Sequence, residues 1–193
     1  TLQSGPFANS RAFIASVVPS LDTKLADILS DRAQFISHAN IPYLSINLLD
    51  SSQVGADRIV GALAAVTKYD SDCVIVDAGT AVTFCYVSKE KIYEGGAIFP
   101  GMDIASKALN DYTAKIPHIR VAKQDVIFGK STEEAVQVAL YYGYVDMING
   151  MIQRHRSASK SPLTVIGTGA GIDIIKDQLD IKHYEPNLVL EGL

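Results

Sequence analysis

The fold is legible from Cys73-Val74-Ile75-Val76-Asp77-Ala78-Gly79-Thr80-Ala81-Val82-Thr83-Phe84-Cys85-Tyr86-Val87. Two apolar runs rich in β-branched and aromatic residues flank Gly79-Thr80, the composition of two strands joined by a tight turn. The predicted hairpin carries Asp77 and Thr80 at its bend. Aspartate and threonine suit a turn for purely structural reasons; they also supply the oxygen ligands that phosphate chemistry uses. Cys73 and Cys85, the two cysteines of the chain, fall inside these strands, where a thiol packs as a small hydrophobe.

Upstream of the hairpin, Ile59, Val60, Leu63, Ala64 and Val66 recur at helical spacing from Asp57 to Lys68. Asp57 therefore stands at a helix start, where the dipole favours a carboxylate. Arg58 beside it is either a solvated first-turn residue or a clamp for a carboxylate. Ile41 to Leu49, punctuated by Pro42, reads as extended. Ser20-Leu21-Asp22-Thr23 offers cap-type residues before Leu25, Ile28 and Leu29, which predicts a short helix. Ala12 to Val17 reads as a strand from the middle of a fold.

Downstream, the glycines and proline of Gly95-Gly96-Ala97-Ile98-Phe99-Pro100-Gly101 suggest sharp turns or close approach of backbone to a ligand. A helix through Ile104 and Leu109 is expected next. Ser131 with Glu134 has the form of a capping box, and Ala135, Val138, Ala139, Tyr142, Val145, Ile148 and Ile152 continue a helical stripe to about Arg154. The strand Leu163 to Ile166 then enters Gly167-Thr168-Gly169-Ala170-Gly171, with Ile172, Ile175 and Leu179 suggesting a helix beyond. Strand, glycine-rich turn and helix in succession is an arrangement that suits phosphate.

Composition narrows the function classes. At 193 residues, 48% hydrophobic and 20% charged, the chain can bury a sizeable core and is not expected to be disordered. A net charge of -4 gives no basic surplus for nucleic acid or anionic lipid. No apolar run approaches the roughly 18 residues of a membrane span, and Thr1-Leu2-Gln3-Ser4-Gly5-Pro6 lacks a charged-then-apolar targeting pattern. These features predict a cytoplasmic protein. His38, His118, His155 and His183 are scattered without metal-ligand spacing. Gly129-Lys130-Ser131 fails as a P-loop because the first glycine of that motif would fall at Gln124. The Gly167 turn fails as a dinucleotide fingerprint because Ile172 stands where its last glycine belongs. Asp57 and Asp77 remain the informative pair, since phosphoryl transfer asks for a base and for an oxygen ligand that organises cations.

Taken in order, Val54-Gly55-Ala56-Asp57-Arg58, Val76-Asp77-Ala78-Gly79-Thr80-Ala81, Gly95 to Gly101 and Thr113-Ala114-Lys115-Ile116-Pro117 resemble the type III pantothenate kinases. Ser16-Val17-Val18-Pro19-Ser20-Leu21, Gly129-Lys130-Ser131-Thr132, the Gly167 to Gly171 turn and Leu190-Glu191-Gly192-Leu193 fit as well. The resemblance implies an α/β fold of two ribonuclease-H-like halves, as in the acetate and sugar kinase, chaperone and actin superfamily. The expected division is residues 1–69, with 186–193 returning to them, and residues 70–185. It also implies a homodimer that phosphorylates the terminal hydroxyl of pantothenate with ATP, magnesium and a monovalent cation such as potassium or ammonium.

By the same likeness Asp57 is the general base, and Gly55, Ala56, Arg58 and Thr132 contact the substrate. Asp77 is the monovalent-cation ligand, and Gly79, Thr80, Thr168, Gly169 and Gly171 border ATP. The long helix, through Tyr141, Tyr142 and Tyr144, is expected either to build the dimer contact or to edge the core. Two features depart from the family pattern. Residues 1–193 contain no Asp-x-Gly-Asn-Thr/Ser phosphate hairpin, so the first half is expected to lack its opening strands and kinase activity to be impaired or absent. Leu48 stands where the family commonly has a substrate-binding tyrosine. The alternative function is a non-catalytic regulatory protein on the same scaffold.

Overall fold

The structure, a computed structural model, describes residues 10–193; the opening Thr1 to Pro6 segment lies outside the described residues. In chain order the first elements are β1 (Ala12–Ile14), α1 (Pro19–Leu29), β2 (Ala33–Phe35), β3 (Ser45–Ile46) and α2 (Ala56–Tyr69). The hairpin strands β4 (Asp72–Ala78) and β5 (Ala81–Val87) follow, then β6 (Ile92–Pro100), α3 (Met102–Asp111) and α4 (Thr132–Ala158). The chain closes with β7 (Leu163–Thr168), α5 (Ile172–Ile175), β8 (His183–Tyr184) and α6 (Leu188–Glu191).

β1 and β2 pair in parallel as a small separate sheet, and the other six strands form a mixed sheet in the order β3-β6-β5-β4-β7-β8. β4, β5 and β6 run antiparallel in succession, whereas β7 joins β4, and β8 joins β7, in parallel. Both faces of the sheet are covered, which is why β4 is almost uninterruptedly apolar. Val74, Val76, Val82 and Phe84 face a core shared with α3, α4 and α5. Cys73, Ile75, Cys85 and Val87 face the opposite core, under α2 and α6.

α2 approaches the sheet closely because Ala62, Ala64 and Ala65 line its buried side. α6 lies across it: a Cβ on Gly192 would fall 2.3 Å from the Val60 carbonyl oxygen. Lys68 Nζ reinforces this closure by meeting Glu185 at 2.8 Å and Glu191 at 3.0 Å. At the start of α4, Ser131 Oγ accepts the Glu134 N–H at 3.1 Å. The Glu134 carboxylate accepts the Lys130 N–H at 2.7 Å, one residue earlier than in a standard capping box.

Several expectations are corrected. The Gly95 to Pro100 segment is not a sharp turn but lies within β6, and a Cβ on Gly96 would fall 1.6 Å from the Phe84 carbonyl oxygen. Gly95, at φ +106°, takes up an irregularity of register opposite Tyr86 and Val87. Ile41 to Leu49 supplies only a two-residue strand, because Pro42 lacks a donor and Tyr43 adopts a left-handed backbone at φ +61°. α4 runs four residues past Arg154, with His155 and Arg156 in a last turn that favours positive groups. The helix after Gly171 is a single turn followed by a 3-10 turn at Lys176–Gln178. Tyr141 and Tyr144 are buried in this chain's own core, and the half-buried Tyr142 donates its hydroxyl to the Gln124 carbonyl at 2.9 Å. These tyrosines therefore serve the core rather than an outward contact. Among the described residues, no helix is long and apolar enough to cross a membrane.

Candidate active site

The N-terminus of α2 and the end of β4 meet on one face of the sheet. Asp77 shares that face with Cys73 and Ile75, and stands in register between Thr83 of β5 and the buried Thr168 of β7. Asp57, in the first turn of α2, lies near enough for its charge to act on Asp77. Burial chiefly, and the Asp57 charge in addition, hold the Asp77 carboxyl above the usual carboxylate range. Two acidic side chains that were twenty residues apart in sequence thus share one corner of the fold.

The backbone around them is held by glycine. Gly55 caps α2 without a side chain, and a Cβ there would lie 2.6 Å from Asp57 Oδ1 and 3.0 Å from Val17 Cγ1. The Asp57 carboxylate can therefore fold back and accept the Arg58 N–H at 2.8 Å. On the far side, Gly169 has φ +84°, and a Cβ on it would lie 2.3 Å from Asp77 Oδ1. The Gly171 N–H donates to the Ala78 carbonyl at 2.7 Å, and the Gly101 N–H to the Thr80 carbonyl at 2.9 Å. Strand β7's exit and β6's exit thus clasp the Gly79-Thr80 turn from both sides.

That clasp changes what the glycine-rich segments offer. The Gly79 N–H donates to the Ala81 carbonyl at 2.9 Å, so neither it nor the Gly171 N–H is a free phosphate donor. α5 has only four residues and so lacks the dipole of a long helix aimed at an anion. Close backbone approach, with Thr80 exposed at the turn apex, is what this side of the site supplies.

Arg58 leaves α2 toward β5 and β6. Its Nε–H donates to Cys85 Sγ at 3.1 Å, the Tyr93 hydroxyl donates to the same sulfur at 3.5 Å, and the guanidinium carbon lies 5.9 Å from the Tyr93 ring centroid. Burial opposes the guanidinium charge, but Cys85, Tyr93 and Asp57 outweigh it and raise the Arg58 pKa above its usual value. A cavity of about 370 Å³ opens beside this group, bounded by Arg58, Tyr93, Gly95, Gly96, Gln53 and Leu48. Leu48 thus lines the same space as Arg58.

The predicted site residues divide accordingly. Gly55, Ala56, Asp57, Arg58, Asp77, Thr168, Gly169 and Gly171 gather where α2 meets β4 and β7, with Gly79 and Thr80 at the adjoining turn. Thr132 does not join them: it is exposed at the first position of α4, which packs on the opposite face of the sheet. The sequence pattern does not mark Cys85 and Tyr93 as polar partners of Arg58. The available signal was strand alternation, which puts Cys85 on the face of Thr83 and hence of Asp77.

Comparison with known proteins places the chain among its relatives. The family model described as type III pantothenate kinase matches residues 1–154. A type III pantothenate kinase of Geobacillus kaustophilus (strain HTA426) is 44% identical over 151 residues, which are 78% of this chain and 58% of that protein. The type III pantothenate kinase of Desulfosudis oleivorans is 37% identical over 190 residues, 95% of this chain and 74% of the relative. The chain thus spans less than two thirds of the length of the Geobacillus relative. A crystal structure of a Campylobacter jejuni protein, described as a Baf family transcriptional activator, superposes with a TM-score of 0.63 at 22% identity, covering 95% of this chain and 80% of that one. At that identity the likeness establishes the shared fold, a mixed α/β architecture. By the family model and by the identity and extent of these relatives, this chain belongs to the type III pantothenate kinase family.

Proposed function

We propose that the protein transfers the γ-phosphoryl group of ATP to the terminal hydroxyl of pantothenate, giving 4'-phosphopantothenate, the first step of coenzyme A synthesis. The observation that carries this reading is the meeting of Asp57 and Asp77 in a chain of this family. Phosphoryl transfer depends mostly on positioning and charge stabilisation, with a base to take the acceptor's proton. In this reading the Asp57 carboxylate takes the hydroxyl proton while the hydroxyl oxygen bonds to the γ-phosphorus. The bond from that phosphorus to the β,γ-bridging oxygen breaks, and ADP leaves with the electron pair. Gly55, Ala56 and Arg58 surround the acceptor, and Gly79, Thr80, Thr168, Gly169 and Gly171 border the nucleotide. The reading also takes Thr132 as a pantothenate contact and the protein as a homodimer.

Asp77 suits a monovalent cation such as potassium or ammonium. Among the described residues it makes none of the side-chain hydrogen bonds that anchor Asp50, Asp72 and Asp173, and hard cations take oxygen ligands. A cation held there supplies positive charge beside the phosphates. Among the described residues no group of three His, Cys, Asp or Glu side chains could hold a metal, and magnesium enters this reading as the ATP complex. The reading extends to a cytoplasmic enzyme of two ribonuclease-H-like halves, residues 1–69 with 186–193, and 70–185. In support, β6-β5-β4-β7-β8 combines an antiparallel trio with two parallel additions, and α6 returns to lie on α2.

The test is pantothenate-dependent ADP release with magnesium and potassium. It is run on the 193-residue chain and on that chain joined to the N-terminal strands of a relative, with Asp57→Asn as control. Release in the extended form, falling by about 10²–10⁴ in the variant, is the expected result. Silence in both forms, with the protein folded, would overturn the reading.

A further inference from the structure

We infer that Cys85 is a positioning residue for Arg58: its sulfur, with the Tyr93 hydroxyl beside it, holds the guanidinium at the cavity between α2 and β6. This rests on the reading of Arg58 as an acceptor contact and adds what keeps that contact in place. A free arginine side chain samples many rotamers, a freedom that must be lost before it can grip a ligand. Here that ordering is done in advance. Cys85 is 3% exposed and rigid within β5, Tyr93 is fully buried in β6, and both donors converge on one sulfur.

The division of the guanidinium's hydrogens is the telling feature. Among the described residues only the Nε–H is engaged, so both terminal nitrogens keep their donors for an acidic group of the acceptor. Those terminal nitrogens are the ones that grip a carboxylate in parallel. A carboxylate at position 85 would compete for the whole fork, whereas sulfur is a weak acceptor suited to holding one N–H. The Tyr93 ring beneath the guanidinium adds a face on which the planar group rests.

The test uses whichever form of the protein turns over in the assay above, or calorimetric titration of pantothenate where a variant does not. Cys85→Ala, Cys85→Ser and Tyr93→Phe are each compared with and without Arg58→Ala. Cys85→Ala is expected to raise the KM for pantothenate about tenfold, the effect of one hydrogen bond to a charged group, and to leave the KM for ATP unchanged. Cys85→Ser, which keeps an acceptor, should recover most of the loss, and Tyr93→Phe should cost less than Cys85→Ala. In the Arg58→Ala background the Cys85 change should have no further effect. An equal Cys85 effect with and without Arg58, or a parallel rise in both KM values, would mean a general structural role and overturn the inference. An unchanged KM in Cys85→Ala beside a raised one in Arg58→Ala would overturn it while leaving the site reading intact. An unchanged KM in Arg58→Ala would overturn both.

Discussion

Gly169 stands so close to Asp77 that a Cβ on it would lie 2.3 Å from the Asp77 Oδ1. The pair arises because Thr168 is in register with Asp77 across β7 and β4, and the chain turns immediately afterwards at φ +84°. Contact and backbone each exclude a side chain. Gly169→Ala is therefore expected to cost about 1–3 kcal/mol in urea unfolding. Because the displaced group is the Asp77 carboxylate, its proposed role as a cation ligand predicts that turnover with potassium falls further than the stability loss explains. An unchanged unfolding midpoint with unchanged turnover would contradict the geometry.

Asp77 itself makes a prediction about pH. Burial and the Asp57 charge raise its folded pKa above the ordinary 3.8. Between the unfolded and folded values the native state binds more protons, so stability falls as pH rises through that window and stays lower above it. Asp77→Asn should therefore raise the melting temperature at about pH 7, with the gain shrinking as pH approaches the ordinary carboxylate value of about 4. On the proposed role of Asp77 as a monovalent-cation ligand, added potassium should stabilise the wild-type protein and not the variant. Calorimetric scans across this range decide it, and a variant less stable than wild type at neutral pH would refute the sign.

Some of this architecture was legible in the sequence because its signals are local. The β4–β5 hairpin and the start of α2 follow from strand and helix periodicities read over a dozen residues, and these placed Asp57 and Asp77 at their element ends. Glycine was the ambiguous letter. Gly96 carries the same signal whether backbone must approach a ligand or a neighbouring strand, and only the 1.6 Å that would separate its Cβ from the Phe84 carbonyl oxygen shows the strand contact. The contact of Arg58 with Cys85 spans 27 positions and two elements, and nothing in a cysteine amid β-branched residues announces a hydrogen-bond role. Thr132 matched a family motif, yet its place on the opposite face depends on the crossover of α4, which pattern alone does not reveal.

The cap of α4 offers a stability prediction independent of the site. Ser131 Oγ accepts the Glu134 N–H, and the helix it starts packs Val136, Leu140, Ile148 and Ile152 onto the sheet. Ser131→Ala should cost about 1 kcal/mol, and Ser131→Asp, which keeps an acceptor and adds a favourable charge, should restore it. Urea unfolding of both variants checks this, with equal midpoints for alanine and aspartate as the contrary result.

Asp72 begins the strand that Asp77 nearly ends, and its environment works in the opposite direction. It is 8% exposed, and it accepts the Tyr86 hydroxyl and the Lys89 N–H at 2.8 Å each, with the Ser159 and Ser161 hydroxyls on the same carboxylate. Burial alone would raise its pKa, but the Ser161, Lys89, Tyr86 and Ser159 bonds outweigh it and hold the carboxyl below 3.8. For a carboxyl lowered on folding, the contribution to stability is present above the unfolded value and is lost as pH falls through the folded one. Asp72→Asn replaces one carboxylate oxygen with an NH2 donor that faces other donors, so a loss of about 1–3 kcal/mol is expected at neutral pH, with a flatter acid limb than wild type. The carboxylate lies five residues from Asp77, roughly 17 Å along the strand, so the KM values should not move. Unfolding curves from neutral to acid pH, read beside the two KM values, separate this structural carboxylate from Asp77 in its proposed role: lost turnover at full stability would reverse the assignment.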